Sequence, residues 1–369
     1  MRLVFHATDT EGDCMKFIHI ADVHLGIRPD RGRIWSDTRA SEIEESFRDI
    51  VRICEEEKVE LLLIAGNLFH EPPTEKQLKE LDFTLRRLTV TKTVIIAGSC
   101  DYIEENSPWE SYEFVSDTII LPRDRAVNAY ISELNVCITG YSYGRAEYTE
   151  RVLERLKPGK EGAYNILLGH GGDKAHMPFS KEKLARLGFD YVALGHIRKP
   201  AHILKDKMAF PGSLEPLDYT DTGRRGYIEG NVGEDGTTTI TWHPHNKRSY
   251  INMAINVSQE YDNAGINYMV EEQIKRMGSE NIYRILIKGD INSDVQINLS
   301  GLTRRFNINE IIDKTQCGYD IDELLENNEN NLLGGFIKIM TGEESTEDEI
   351  IRKKTLKYGI EALLAAGDR

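Results

Sequence analysis

"KTVIIAGSCDY", residues 92–102, carries the reading on which the fold depends. "KTVIIAG" (92–98) is apolar at successive positions, as a strand is when both faces of its sheet are covered. It then breaks at Gly98 into three polar residues, Ser99, Cys100 and Asp101. Four other strands have the same form. "KFIHIA" (16–21) runs into Asp22 and His24, and "VELLLIAG" (59–66) runs into Asn67. "YNILLGH" (164–170) and "YVALGH" (191–196) each end in Gly-His. Between them lie helical patterns. "SEIEESFRDIVRICEEEK" (41–58) puts Ile43, Phe47, Ile50, Val51 and Cys54 on one face, with Ser41 and Glu44 as a capping box. "TEKQLKELDFTLRRL" (74–88) repeats the device with Thr74 and Gln77, and "KEKLARLG" lies between the two Gly-His strands. Such alternation predicts a layered α/β sandwich with its polar side chains gathered at strand ends.

Shorter strands are expected at "MAFPGS", "RGYIEGNV" and "TTITWHP". Near residue 248 the texture changes to a small α+β unit: "INMAINV", a helix at 263–277, "IYRILIKGDI", and a closing helix in "EDEIIRKKTLKYGIEALLAAG". The expected division is therefore 15–247 and 248–369. Residues 1–14 are read as a flexible extension, because Met15 directly precedes the first strand. Ile360, Leu363 and Leu364 could pack locally or dock a partner helix.

No apolar run approaches the length needed to span a bilayer, so no membrane association is expected. Cys14, Cys54, Cys100, Cys137 and Cys317 are dispersed and odd in number, which argues for a reducing cytoplasm over a disulfide framework. The net charge of −15 disfavours nucleic-acid binding by the whole surface. It leaves room for a local basic stretch, "GIRPDRGRIWSDTR" (26–39), where Arg28, Arg31 and Arg33 are candidate nucleic-acid contacts beside Arg39.

Asp22 and His24 leave the first strand at alternate positions and can face one ion. With His170 and His196 at two other strand ends they form a candidate metal site. In motif order this set resembles the calcineurin-like metallophosphoesterases, specifically their SbcD-type DNA-repair exonuclease branch, over residues 16–245. "FPGSLEPLDYTDTGRRGY" resembles the stretch that follows the branch's last motif, and the C-terminal third looks like the cap domain of firmicute SbcD-like proteins.

The resemblance implies a four-layer α/β/β/α sandwich with a small α+β cap. It also implies a two-manganese centre that activates water against a phosphodiester, with DNA and an SbcC-like coiled-coil ATPase as partners and a homodimer as a further expectation. Position by position, Asp22, His24, His170 and His196 match metal ligands. Asn67 stands at the bridging aspartate of Gly-Asp-x-x-(Asp/His), and Ser99 at a metal-binding asparagine. Cys100, followed by Asp101, replaces the histidine that supports the transition state. Arg198 replaces the second histidine of Gly-His-x-His.

An amide carries no charge to neutralise two cations, and a guanidinium has no lone pair to donate. Arg198 is therefore expected beside Asp22, either cancelling its charge or gripping phosphate. Cys100 is either a soft ligand or a small filler for a lost imidazole. Two functions stay open: a nuclease with weakened catalysis, and a non-catalytic scaffold for nucleic-acid ends or the ATPase.

Overall fold

A computed structural model describes residues 13–292, 295–342 and 349–367, and the chain divides into two compact units between Ile251 and Asn252. The strands of the first unit are β1 (Asp13–Ile20), β2 (Leu61–Ala65), β3 (Lys92–Ile96), β4 (Thr118–Ile120), β5 (Val127–Ile131), β6 (Val136–Gly140), β7 (Tyr164–His170), β8 (Tyr191–Gly195), β9 (Ala201–Leu204), β10 (Met208–Phe210), β11 (Gly226–Gly233) and β12 (Thr238–Pro244). They form two six-stranded sheets, ordered β12-β11-β1-β2-β3-β4 and β5-β6-β7-β8-β10-β9. β1 to β4 run parallel, as do β6, β7 and β8.

The continuous apolar runs follow from this stacking. Along β2, Leu62 and Ile64 face one core with Ile43, Phe47 and Ile50 of α1 (Ser36–Glu56) and Leu78, Leu81 and Leu85 of α2 (Glu75–Leu85). Leu61, Leu63 and Ala65 face the opposite way, into a core shared with Ile166 and Leu168 of β7 and Tyr191 and Ala193 of β8. The outer faces of β7 and β8, through Leu167, Val192 and Leu194, pack on Leu153, Tyr143 and Leu184. Period-2 alternation in buried strands thus yields three cores and four layers. The outer layer on the second sheet is thin: α3 (Pro108–Ser111) lies on the Phe69–Trp109 side, leaving α4 (Lys181–Ala185), a 3-10 turn at Leu153–Arg155 and loops there.

Thr74 caps α2 reciprocally with Gln77, as expected. α1 corrects the expected start. It begins at Ser36, so Ser41 lies inside the helix and its hydroxyl donates to Asp37 O at 3.3 Å. The earlier turn is held because Trp35 Nε1 donates to Asp30 (2.7 Å) and buried Arg39 pairs with Glu215 and Glu42. Arg39 is therefore a core ion pair and no part of a basic surface. Asp13 and Cys14 belong to β1, with Asp13 opposite Gly233, so the strand starts before the expected end of the extension. Residues 1–12 of that extension lie outside the described residues. β5 and β6, an antiparallel pair that the pattern above passes over, complete the second sheet.

In the second unit, β13 (Tyr250–Val257), β14 (Ile282–Ile291) and β15 (Ile308–Cys317) form one sheet in that order, with β14 and β15 parallel. α5 (Asn263–Met277) is capped by Asp262 and buries Ile266, Val270 and Ile274, one face at four-residue spacing. α6 (Ser300–Thr303), α7 (Ile321–Asn327), α8 (Leu332–Thr341) and α9 (Glu349–Gly367) follow. Ile360 is fully buried against Leu333 and Ile337, with Leu363 packed beside it, so these two pack locally.

Candidate metal and phosphate site

The polar breaks gather where the parallel strands end. Asp22 N–H donates to Gly66 O (3.0 Å) and His24 N–H to Asn67 O (2.9 Å), tying the first break to the second. Asp22, His24 and Asn67 all have positive φ, near 52–55°, so each leaves its strand through a left-handed turn. Gly66 must be glycine. Its φ is +87°, and a Cβ there would stand 2.4 Å from His170 Nδ1. Gly195 is as tight, with Ala65 O only 1.8 Å from an added Cβ. These two close approaches bring the ends of β7 and β8 against the end of β2.

Asp22 is buried. Its Oδ1 accepts Asn67 Nδ2 (2.9 Å), its Oδ2 accepts the backbone N–H of His196 (2.8 Å), and His24 Nε2 lies 3.7 Å from Oδ1. Burial works to raise this carboxyl, but the bond from His24, the fields of His170 and His24 and the Asn67 bond outweigh it and hold it at about 2. For His24, burial works downward, while Asp22 and the Cys100 thiol lift the imidazole to about 9. Burial carries His170 down to about 4, so it is neutral. Its Nδ1 bonds Ala65 O (2.8 Å), which puts the ring proton on Nδ1. Its Nε2 is buried and has no hydrogen-bond partner among the described residues.

Asn67 shows what its position can do. Its Oδ1 accepts the Cys100 N–H at 2.8 Å. A backbone N–H must meet an oxygen, so the amide is held in one orientation and its NH₂ faces Asp22. The residue at the bridging position therefore presents a donor to the centre. Asp101 carries no free carboxylate either: it accepts N–H groups of Asn67 (3.1 Å), Phe69 (3.1 Å) and Gly98 (2.6 Å), and so shapes both turns. Burial pushes its carboxyl up to about 6 against those bonds. Ser99 and Cys100 are half-buried at the rim of the same turn.

Arg198 corrects the expected pairing. It turns away from Asp22 to Asp218 (3.0 Å) and Asp221 (3.2 Å), because the 211–225 stretch supplies two carboxylates on its own side. His196 also turns aside: its backbone meets Asp22, but its Nε2 bonds Asp173 Oδ2 at 2.7 Å.

Three participants escaped the sequence reading. His70 Nδ1 lies 3.4 Å from His24 Nδ1, and Asp173 bonds both His196 and His176. His70 occupies the last place of the Gly-Asp-x-x-(Asp/His) pattern. Asp173 and His176 lie in "GHGGDKAH", where the double glycine after His170 was the available signal. Among the described residues, the only three His, Cys, Asp or Glu side chains whose ligand atoms lie within 4.8 Å of one another are Asp173, His176 and His196. A two-metal centre bridged at residue 67 does not fit this donor set, because the bridge is a hydrogen-bond donor and the Arg198 position is cationic and engaged elsewhere.

Arg28, Arg31 and Arg33 are exposed on the loop after β1. The charge of Arg31 acts on His70, the neighbour of His24.

Comparison with known proteins identifies the family. The uncharacterized metallophosphoesterase YhaO of Bacillus subtilis is 25% identical over 303 residues, covering 74% of this chain and 72% of that protein. The DNA double-strand break repair protein Mre11 of Methanocaldococcus jannaschii is 29% identical over 241 residues, 60% of this chain and 64% of the relative. Mre11 of Archaeoglobus fulgidus is 26% identical over 237 residues, 57% and 52% respectively. The sequence signature described as Calcineurin-like phosphoesterase matches residues 15–200, half of the chain. That match runs from β1 past Arg198, through every strand end that carries a polar break, and the chain belongs to the calcineurin-like phosphoesterase family.

Proposed function

We propose that this chain acts on DNA ends in the manner of the SbcD and Mre11 branch, as a binding subunit whose phosphodiester hydrolysis is weak or lost. The family implies divalent metal ions, manganese being the expected one. One observation carries the reading: the amide of Asn67, held by Cys100 N–H, donates to Asp22 where a bridging carboxylate would neutralise two cations. What remains suits an anion. Against its burial, Asp22 and Cys100 lift His24 to about 9, so it is protonated at neutral pH, and Arg28, Arg31 and Arg33 are exposed on the loop that follows it. Contacts of this kind supply the sequence-independent part of DNA affinity. The Mre11 relatives are DNA-break repair proteins by name, which supports DNA as the polymer. An SbcC-like ATPase is the partner such a subunit would serve, in the cytoplasm. No helix among the described residues is long and apolar enough to cross a membrane.

The test compares two assays on linear duplex DNA. Binding in EDTA should be retained and should favour free ends over circles. Turnover with added Mn should lie on the order of 10²-fold or more below that of an Mre11 relative assayed alongside, the scale of losing one transition-state group. Mn-dependent degradation at the relative's rate, abolished by His170→Ala, overturns the reading.

A further inference from the structure

We infer that Asp173, His176 and His196 form a mononuclear zinc-class metal site, displaced from the Asp22–His24 pair onto the turn after β7. It does not rest on the DNA reading, since of its three residues only His196 stands at a strand-end motif.

The turn is built before any ion arrives. Gly171 and Gly172 have φ of 146° and 129°, and Gly172 N–H donates to His176 O at 2.8 Å, folding residues 172–176 back on themselves. An added Cβ on Gly171 would stand 2.4 Å from that same oxygen. Tyr148 holds the far side, giving its N–H to Ala175 O (2.8 Å) and accepting Met177 N–H (2.7 Å). Asp173 Oδ1 accepts the N–H groups of Ala175 (2.8 Å) and His176 (2.9 Å). These bonds leave Oδ2 to the two imidazoles: His196 Nε2 at 2.7 Å and His176 Nδ1 at 3.0 Å, the latter also 2.8 Å from Oδ1.

Two of the three ligand separations are near those of a coordination sphere, and the third lies within 4.8 Å. Ligands at zinc bond lengths of about 2.0–2.1 Å in a tetrahedron stand about 3.3 Å apart. The two contacts to Oδ2, at 2.7 and 3.0 Å, need to open by only about half an ångström to reach that separation. A ligating ring offers the ion a nitrogen lone pair and carries its proton on the other nitrogen, so the metal would take the place of the ring contacts to Asp173.

Two imidazoles and a carboxylate suit zinc better than manganese, which favours oxygen. The Asp173 side chain is 47% exposed, His176 23% and His196 14%, so an ion can enter and water can take the fourth position.

Calorimetric titration of the EDTA-stripped full chain with Zn²⁺, and with Co²⁺ followed by its visible absorption, tests the site without DNA. One equivalent should bind, with the intense Co²⁺ bands of a four-coordinate ion. His176→Ala, His176→Gln and Asp173→Asn should each weaken binding at least tenfold, while His24→Ala leaves it within twofold. Unfolding midpoints of the stripped variants show that each is folded. Loss of the bound ion in His24→Ala with retention in His176→Gln would put the metal back at the Asp22–His24 pair and overturn the inference. Absence of binding at micromolar Zn²⁺ by the folded wild type would leave a hydrogen-bonded His–Asp–His cluster and overturn it equally.

Discussion

Asn67 Nδ2 stands 2.9 Å from Asp22 Oδ1, and the Asn67 amide cannot flip because its Oδ1 holds the Cys100 N–H at 2.8 Å. Donor meets acceptor across a gap that a bridging carboxylate would leave negative on both sides. The Asp22–Asn67 contact is therefore a satisfied one, and substitutions in it have signed consequences.

Asn67→Asp puts two buried carboxylates in hydrogen-bond contact. It should cost about 2–4 kcal/mol in EDTA at pH 8, from lost hydrogen bonding and buried like charge. The pair would take up a proton, so its folded pKa lies above the unfolded value and the cost is relieved as pH falls. Thermal unfolding of wild type and variant at pH 8 and pH 5 checks this. A gap that is equal at both pH values, or larger at pH 5, contradicts it.

Arg198→Ala should act on stability and leave anion affinity nearly unchanged. The guanidinium pairs with Asp218 and Asp221, and Arg225 remains beside Asp221 at 3.3 Å. The pair is partly solvated, so the loss is on the order of 1 kcal/mol. Urea unfolding measures it. Thermal protection by phosphate in EDTA should be the same in both proteins, and loss of that protection in the variant would give Arg198 the phosphate-gripping role.

Replacing Arg28, Arg31 and Arg33 together by Gln should weaken DNA binding without altering the fold, since all three are exposed. If each meets one phosphate, the slope of log affinity against log salt falls by up to about 3. Fluorescence anisotropy across a salt series reads the slope. An unchanged slope removes this loop from the DNA interface.

Asp82 sets an acid limb of stability away from the site. It is fully buried and accepts Ser116 N–H (2.9 Å), Val115 N–H (3.3 Å) and Arg86 (2.6 Å). Burial works upward, yet the Arg86 and Ser116 bonds carry the carboxyl down to about 2. A depressed folded pKa stabilises above the unfolded value near 3.8 and is lost as pH falls toward 2. Asp82→Asn should therefore cost about 1–2 kcal/mol at neutral pH, and the difference should close between pH 4 and pH 2. Denaturant unfolding of both proteins across that window is the measurement, and a constant difference rules the assignment out.

Much of the architecture was legible along the chain. Strands such as "LLLIA" announce themselves because both their faces are buried, and Thr74 with Gln77 marks a helix start through bonds between near neighbours. β5 was harder to read: it alternates half-buried and exposed positions at a sheet edge, which leaves no continuous apolar run. The α1 start was hidden because Arg39 finds Glu215, 176 residues away.

Residue identity alone determined that polar groups stand at five strand ends, that Asn67 brings no charge and that Arg198 cannot ligate a metal. Only the tertiary structure decided which way those groups turn. Cys100 N–H aims the Asn67 amide across 33 residues, and Asp218 and Asp221 draw Arg198 aside. Asp173 recruits His196 across 23 residues of chain. Backbone form follows from local periodicity, whereas the orientation of a polar side chain is set by whichever partner lies within about 3 Å once the strands are packed.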